Sequence, residues 1–332
     1  MIRFNSPAIN CFDACDNSID ENLTIYHYTS AEAFYSIINN QSLRFSDLKY
    51  MNDKSEKIFF IKRLIDFYFK RKADYPDFCH VVDLLLKGND YELLKNASMP
   101  DIKFNTINHY PYKPFRTFVF CSCREPDLLN MWNYYVYNSQ YIGYNIGVSA
   151  YKLLKMFDLK NYLQHDNFLL YYGNIVYDTA KQYKHIEGIA ETMEKSIRTL
   201  GKKQSAYNNA ALDLRAFIDT KGAFFKSDKF SHEKEFRIVF GIQNDKSNCF
   251  ETFNSADNKR IEKEFYVKNG LITPCLRVTL PLDSIRRITM SPMTEYEIAK
   301  ESIKELLETK GYRQSGKSTS IPVYKSRIPI RF

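Results

Sequence analysis

The 332-residue sequence lacks the marks of several common classes of protein. It has no run of roughly 18 uninterrupted apolar residues, the length that a membrane-spanning helix needs. Polar residues interrupt the first twenty positions, where a secretory signal would keep a continuous apolar core. Internal repeats and Gly-, Ser- or Pro-rich linkers are also missing. We therefore expect a cytoplasmic protein that does not contact a membrane, with one elaborated domain.

Cysteine is sparse and shows no pairing pattern. The seven cysteines are odd in number and scattered along the chain, which argues against a disulfide framework and favours a reducing cytoplasm. The closest pairs, Cys11/Cys15 and Cys121/Cys123, lack a second Cys or His pair at zinc-site spacing. The six histidines are dispersed as well. The sequence therefore predicts no bound metal.

Several familiar catalytic motifs are absent. The sequence contains no G-x-G-x-x-G, H-E-x-x-H or G-x-S-x-G. Their absence disfavours a dinucleotide-binding dehydrogenase, a zinc peptidase of the common type and an α/β-hydrolase.

Basic and aromatic residues are plentiful. Lys and Arg exceed Asp and Glu by 47 − 39 = 8, which favours an anionic partner such as nucleic acid or a nucleotide cofactor. A solvated surface of mixed charge explains the same excess. The 25 Tyr and 25 Phe provide core, and they also provide surfaces on which a base can stack.

Periodicity predicts an α+β fold in which strand-like and helix-like blocks alternate. Residues 1–20 resemble a leader, and residues 21–332 form one domain with a helical insertion around 55–115. A C-terminal helix and an extended tail occupy 294–332. The stretch "LRVTLPLDSIRRITMSP" predicts a pair of strands near the end of the chain.

The stretch "SHEKEFRIVF" carries the clearest candidate site. As a strand it places Phe236, Ile238 and Phe240 on one face. Glu233, Glu235 and Arg237 then share the other face. An exposed face with its charges in water is one interpretation. In the other, the face lines a cleft, where a carboxylate stabilises positive charge at a sugar carbon while Arg237 keeps the carboxylates ionised.

A cleft of that kind also needs donors for ribose and phosphate groups and an aromatic wall for a base. The candidate binding residues, besides Arg237, are His27, Tyr28, Thr29, Arg44, Ser46, Asn52, Trp132 and Tyr135. Structural roles compete with these assignments. His27 suits a hydrogen-bonded strand end, Thr29 suits a helix cap, and Trp132 and Tyr135 have the spacing of a buried helix face.

Several blocks in a fixed order resemble an uncharacterised bacterial family. They are "IYHYTS", "SLRFS", Met51-Asn52-Asp53 with Glu56, "FCSCRE" followed by "LLNMW", "IGYNIGVS", "HEKEFRI" and "VYKSRIPIR". That family is similar, distantly, to the ADP-ribosyltransferases.

The second resemblance implies a split β-sandwich and NAD as co-substrate. His27 would then contact a ribose of NAD, and Tyr28 or a later aromatic residue would stack on nicotinamide. Glu235 would be the catalytic glutamate and Glu233 would orient the acceptor.

The functional expectation is a mono-ADP-ribosyltransferase of the toxin or phage-defence type. Its acceptor would be single-stranded RNA or DNA rather than protein, and a neutralising antitoxin protein would accompany it. Since no clear S-T-S triplet is found, the alternative is a non-catalytic module that binds a nucleotide or nucleic acid. A third hypothesis is a nuclease, in which Glu56, Glu233 and Glu235 hold Mg²⁺.

Overall fold

The computed structural model describes residues 9–11, 19–51, 56–91, 104, 115–136, 142–157, 168–243, 254–255, 258–268, 270–313 and 320–329. The strands are β1 Ile9–Cys11, β2 Thr24–Ser30, β3 Ser42–Asp47, β4 Phe115–Cys123, β5 Gly143–Ser149, β6 Phe168–Asn174, β7 Glu235–Gln243, β8 Asn254–Ser255, β9 Asn258–Lys259, β10 Ile261–Lys268, β11 Leu271–Thr279, β12 Ile285–Met290 and β13 Val323–Lys325. The α-helices are α1 Ala31–Asn40, α2 Glu56–Arg71, α3 Pro76–Leu86, α4 Leu129–Val136, α5 Ala150–Lys155, α6 Thr179–Thr199, α7 Gln204–Thr220 and α8 Tyr296–Thr309. Short 3₁₀ helices occupy Leu48–Tyr50, Lys221–Phe224 and Asp228–Glu233.

The central sheet is mixed and branched. Its main path runs in the order β1-β6-β7-β4-β2-β5-β12-β13, and a side branch leads from β4 through β3 and β11 to β10. Most pairs are antiparallel, while β12 and β13 run parallel. The α+β class predicted from the sequence is confirmed.

The branch occurs along β4, whose edge serves two strands in turn. Val119 and Phe118 pair with Ser46 and Asp47 of β3, whereas Cys123 pairs with Tyr26 of β2. β2 and β3 therefore separate between these two points, near Cys121. We call this point of separation the fork; the candidate site lies beside it.

Helices cover both faces of the sheet, and each face has an apolar core. One core joins alternate residues of β4 and β7, among them Phe120 and Phe240, to α1, α5 and α8. The other joins Val119 and Val239 to α2, α3, α6 and α7. A smaller cluster packs α4 against β2, with Trp132 at its centre. Since successive strand residues point to opposite faces, the Phe236–Phe240 alternation feeds the first core.

The structure differs from the sequence-based expectations about strands in two places. The stretch 276–292 holds the two strands expected there, β11 and β12, but the prediction that they pair with each other is wrong. β11 pairs with β3 and β10, and β12 pairs with β5 and β13. Within the expected leader, Ile9–Cys11 forms a strand against β6. In the expected insertion, α2 and α3 occupy 56–86.

In the part of the chain described here, no helix combines the length and the apolar character needed to cross a membrane.

Candidate functional site

The charged face of β7 is buried rather than solvated. The side chain of Arg237 has no exposed surface, and Glu235 is only 6% exposed. Arg237 donates through Nε to Glu235 Oε1 at 2.7 Å and through Nη2 to Glu235 Oε2 at 3.0 Å. It also donates through Nη1 to the carbonyl of Ala223. The helical layer therefore covers this face, and a bidentate ion pair compensates its charge.

Glu233 does not lie on the strand, and the prediction of three charges along one strand face is wrong there. Glu233 ends the 3₁₀ helix Asp228–Glu233, and β7 begins two residues later. Between them Lys234 adopts the left-handed conformation, with φ 46° and ψ 46°. Glu233 and Glu235 therefore belong to different elements, and their side chains approach a common point.

Lys226 is that common point. Its Nζ lies 2.6 Å from Glu233 Oε2 and 3.3 Å from Glu235 Oε2. The main chain of Lys226 is fixed by Gln182 of α6, whose side-chain amide donates to the Lys226 carbonyl at 2.9 Å. The repulsion expected between the two carboxylates is thus relieved by a buried ammonium group. We call Lys226, Glu233, Glu235 and Arg237 the ion network.

The network keeps Glu235 ionised. Burial alone would raise the pKa of this carboxyl, but Arg237 and then Lys226 outweigh burial and lower the pKa to about 2. Burial likewise opposes the charge of Lys226, and Glu235 and Glu233 reverse that effect, so the pKa of Lys226 is raised. At neutral pH the four charges sum to zero.

The backbone of Glu235 is held as firmly as its side chain. Its amide donates to the Tyr177 hydroxyl at 3.1 Å, and its carbonyl accepts from Ile175 at 3.0 Å. Burial raises the pKa of Tyr177, which therefore stays protonated. The start of β7 is consequently positioned by the segment that follows β6.

His27 lies at the fork. Its Nδ1 is 3.2 Å from the carbonyl oxygen of Cys121, the part of β4 that neither β2 nor β3 pairs with. The imidazole packs against Phe120 with ring centroids 5.0 Å apart. Burial lowers the pKa of His27, so the ring is neutral at pH 7. A neutral imidazole that donates through Nδ1 keeps Nε2 as an acceptor.

Tyr28 and Trp132 are too deeply buried for the ligand-binding roles predicted for them. Tyr28 is 2% exposed, and its hydroxyl donates to the Glu125 carbonyl while it accepts from the Leu128 amide, both at 2.9 Å. Trp132 is fully buried, meets Tyr28 edge-on and donates to Asp127 Oδ1 at 2.8 Å. The indole therefore supports the loop after β4, and its faces form no wall for a base.

Tyr135 is the aromatic residue that reaches the ion network. Its side chain is about half exposed, yet burial of the hydroxyl group raises its pKa, and so do the nearby Glu235 and Glu233 carboxylates. The hydroxyl therefore remains a hydrogen-bond donor. Next to it on α4, the Tyr134 hydroxyl lies 2.9 Å from His232 Nε2. Helix α4 thus faces the 3₁₀ helix that carries Glu233.

The remaining predicted binding residues lie elsewhere. The guanidinium of Arg44 lies 4.2 Å from the centre of the Tyr266 ring, and Ser46 Oγ is 3.1 Å from the Tyr266 hydroxyl. Thr29 is buried in β2, and the helix cap assigned to it is made by Ser30, whose Oγ accepts from Ala33. Asn52 lies outside the described residues.

A narrow cleft joins these groups. Its lining includes Tyr26, His27, Tyr28, Met131, Tyr135, Glu233 and Glu235, and its free space of about 10 Å³ matches roughly one water molecule. Neither Arg44 nor Ser46 belongs to this lining. A ring the size of nicotinamide therefore requires the lining to move, and Tyr135 is its most exposed member.

Metal binding finds no support among the described residues, where no three His, Cys, Asp or Glu side chains cluster. Glu233 and Glu235 converge on Lys226 and Arg237, whose positive charges oppose a divalent cation at the same point. The side chain of Glu56 lies outside the described residues.

Sequence reasoning missed Lys226, Tyr177 and Gln182. Lys226 follows the 3₁₀ helix after α7 without a motif, and contacts with the segment after β6, including the parallel bridge between Val176 and Phe225, bring it beside β7. Tyr177 was one aromatic residue among many. A lysine preceded by three apolar residues, in "AFFKS", was the available signal.

The fold and this geometry define an α+β protein with a buried ion network at the branch point of its sheet. Residues 131–238 match a family described as "Protein of unknown function (DUF2971)". That segment contains Tyr135 and the whole ion network, whereas His27 precedes it. No curated protein and no solved structure matches the chain.

Proposed function

We propose that the protein is an NAD-dependent mono-ADP-ribosyltransferase in which Glu235 is the catalytic residue. The observation that carries this proposal is a carboxylate held ionised beneath a cleft at the fork, where Glu233, His27 and Tyr135 converge. The resemblance to ADP-ribosyltransferases supports it in one respect. Their E-x-E glutamates match Glu233 and Glu235.

In this reaction the bond between nicotinamide and ribose C1′ breaks, and its electron pair leaves with nicotinamide. Positive charge then develops on the ribose ring, close to the Glu235 carboxylate. Glu235 accepts a hydrogen bond from the ribose 2′-hydroxyl. Its low pKa matters here because a protonated carboxyl would offer no negative charge. The acceptor's nucleophile forms the new bond to C1′ and passes its proton to Glu233.

The other lining residues take supporting roles. Neutral His27 offers Nε2 to a ribose hydroxyl, while Cys121 fixes the ring through Nδ1. Tyr135 moves aside and stacks on nicotinamide, a role that the buried Tyr28 leaves to it. Lys226 balances the charges of both glutamates, so that without it the two carboxylates would repel each other.

The proposed acceptor is single-stranded RNA or DNA, in preference to protein. The excess of 47 − 39 = 8 basic residues favours a polyanion. Such an activity would harm the cell that makes it. We therefore propose an effector of the toxin or phage-defence type that acts together with a neutralising protein.

A non-catalytic module that binds a nucleotide or nucleic acid is the second candidate. It is favoured by the closed cleft of about 10 Å³ and by the contacts of Glu235, whose charge Arg237 and Lys226 already neutralise. In that case the ion network serves only to hold β7 against the helical layer.

Transfer of label separates the candidates. Purified protein is incubated with NAD labelled in the adenylate moiety, together with total cellular RNA, single-stranded DNA or lysate protein. The transferase proposal expects label in one nucleic-acid fraction, and none with Glu235→Gln. Label in protein alone would reassign the acceptor. Binding of NAD without transfer to any fraction would favour the module.

A further inference from the structure

A second cavity lies beside the fork and is much larger than the cleft. It has a volume of about 470 Å³, within the range of ligand sites, and its lining includes Asp127, Arg287, Thr289, Tyr324, Lys325 and Arg327. We call it the basic groove. Strand β12 supplies Arg287 and Thr289, and the chain of β13 with its continuation supplies the other cations.

The charge of the basic groove is positive. Arg287, Lys325 and Arg327 contribute three positive charges and Asp127 one negative charge, which leaves 3 − 1 = 2. Among the described residues, none of the three cations has a carboxylate partner. Asp127 is already engaged, since Oδ1 accepts from Trp132 and from Ser326 Oγ, and Oδ2 accepts from the Arg327 amide. Its role is to fasten the C-terminal segment to the loop after β4.

Two buried polar atoms of the lining have no hydrogen-bond partner within the described chain. They are Nε of Arg287 and Oγ1 of Thr289, and Thr289 as a whole is 1% exposed. A buried donor without a partner costs free energy, so an acceptor at this place would be strongly favoured. The guanidinium of Arg287 lies 4.1 Å from the centre of the Tyr324 ring, which orients it. Oxygen atoms of a phosphate suit this set of donors.

The groove and the cleft are neighbours. Arg287 pairs with Gly147 across β12 and β5, and a Cβ atom on Gly147 would lie 2.8 Å from Arg287 Cγ and 3.1 Å from Tyr26 Cε1. Tyr26 in turn lines the cleft. Glycine at this position therefore lets the stem of Arg287 and the ring of Tyr26 both lie close to the main chain of β5. A chain whose phosphates occupy the groove would bring its next base to the cleft.

We infer that the basic groove binds the phosphodiester backbone of single-stranded nucleic acid and presents a base to the cleft. Lys325 and Arg327 are exposed beyond Arg287, as a chain of successive phosphates requires, and Tyr324 exposes 43% of its surface for stacking. This inference rests on the proposed function for its acceptor, but binding itself needs no catalysis.

The test measures binding of a fluorescein-labelled single-stranded RNA of about 12 nucleotides by anisotropy, without NAD. In the variant Lys325→Gln/Arg327→Gln we expect affinity to fall about tenfold at 0.1 M salt. Since each phosphate contact on a single strand contributes about 0.7 to the salt slope, the slope should fall by about 1.4. Thr289→Val should weaken binding severalfold with a smaller change in slope, since no charge is lost. The matched control, Lys87→Gln/Lys195→Gln, removes two exposed lysines, one just after α3 and one on α6, and should bind RNA like the wild type.

Three outcomes would overturn the inference. One is wild-type RNA binding by the groove variant, and another is an equal loss in the control. The third is a groove variant that loses affinity for NAD, measured by calorimetry, and keeps it for RNA, because the cations would then hold the pyrophosphate. A wild type that binds RNA through the groove but never releases nicotinamide keeps the groove and refutes the transferase. Release of nicotinamide with an inert groove does the reverse.

Discussion

At the residue scale, Arg237 decides what the charged face of β7 can be. Its guanidinium is fully buried and donates two hydrogen bonds to Glu235 and one to the main chain of Ala223. Removing an arginine or glutamate from water costs several kcal/mol, and only good geometry repays it. The charged face of β7 therefore belongs to the protein interior, where Arg237 and Lys226 orient the carboxylates.

Replacing Arg237 should be costly because it leaves Glu235 buried with Lys226 as its remaining cation. We expect Arg237→Met to lower the free energy of unfolding by about 3–5 kcal/mol, measured by urea denaturation. Adding Glu235→Gln to that variant removes the uncompensated charge and should restore part of the loss. A single variant as stable as the wild type would contradict the ion network.

The depressed pKa of Glu235 predicts an acid-sensitive contribution to stability. The pKa is about 2 in the folded protein and about 4.3 in the unfolded chain, so the unfolded state binds the proton first. The contribution is complete above pH 4.3 and is lost as pH falls toward 2. The melting temperature should therefore fall less steeply over this window in Glu235→Gln than in the wild type. Parallel curves for the two proteins would refute the assignment.

The sequence predicted the alternation of β7 but not its environment. Period two correctly separated Phe236 and Ile238 from Glu235 and Arg237. Whether the polar face meets water depends on Lys226 and Ala223, which reach it through the fold of another segment. No local sequence pattern predicts that contact. Glu233 lies outside β7 because Lys234, between them, adopts a left-handed conformation.

At the element scale, the branching of the sheet at β4 creates the fork. The elements themselves were largely predictable, since β2, β5, β7, α1 and α8 follow clear periodicities. Their pairing was not, as β11 and β12 show. Strands joined by a short connection usually pair, but β11 and β12 do not pair with each other. β11 pairs with the preceding β10 and the distant β3, and β12 pairs with the distant β5 and β13. Helix α7 then packs closely on β7 and β4, which closes the face that carries Arg237.

That close packing can be tested at Gly241 in β7. A Cβ atom there would lie 2.5 Å from Thr220 Cγ2 at the end of α7. We expect Gly241→Ala to force the helix from the sheet and to lower stability by about 1–3 kcal/mol, measured by thermal unfolding. The control is Gly188→Ala at an exposed position of α6, where the added Cβ atom would have no neighbour within 4 Å. This variant should stabilise the protein by about 0.5–1 kcal/mol. Similar small effects for both variants would show that α7 does not seal this face.

At the scale of the whole molecule, the narrow cleft and the larger basic groove are neighbours, since Arg287 of the groove and Tyr26 of the cleft both lie next to Gly147. The free volume is about 10 Å³ in the cleft and about 470 Å³ in the basic groove, so the two spaces hold groups of different size. We propose that the groove binds an anionic chain, and that the cleft admits a ring only after Tyr135 moves. Neither volume was accessible to sequence reasoning, because the cations of the groove come from β12 and from the C-terminal segment.

The most direct test of the account is release of nicotinamide from NAD by wild type, Glu235→Gln and Glu301→Gln, each first shown to be folded by its melting curve. Glu301 is an exposed residue of α8 and serves as control. Loss of about 3 kcal/mol of transition-state stabilisation predicts at least a hundredfold lower rate for Glu235→Gln and an unchanged rate for Glu301→Gln. Glu235→Asp, which keeps the charge but withdraws it by one methylene, should also be slow. Equal rates in the wild type and Glu235→Gln, or no release by the wild type under any condition, would contradict the assignment of Glu235 as the catalytic residue.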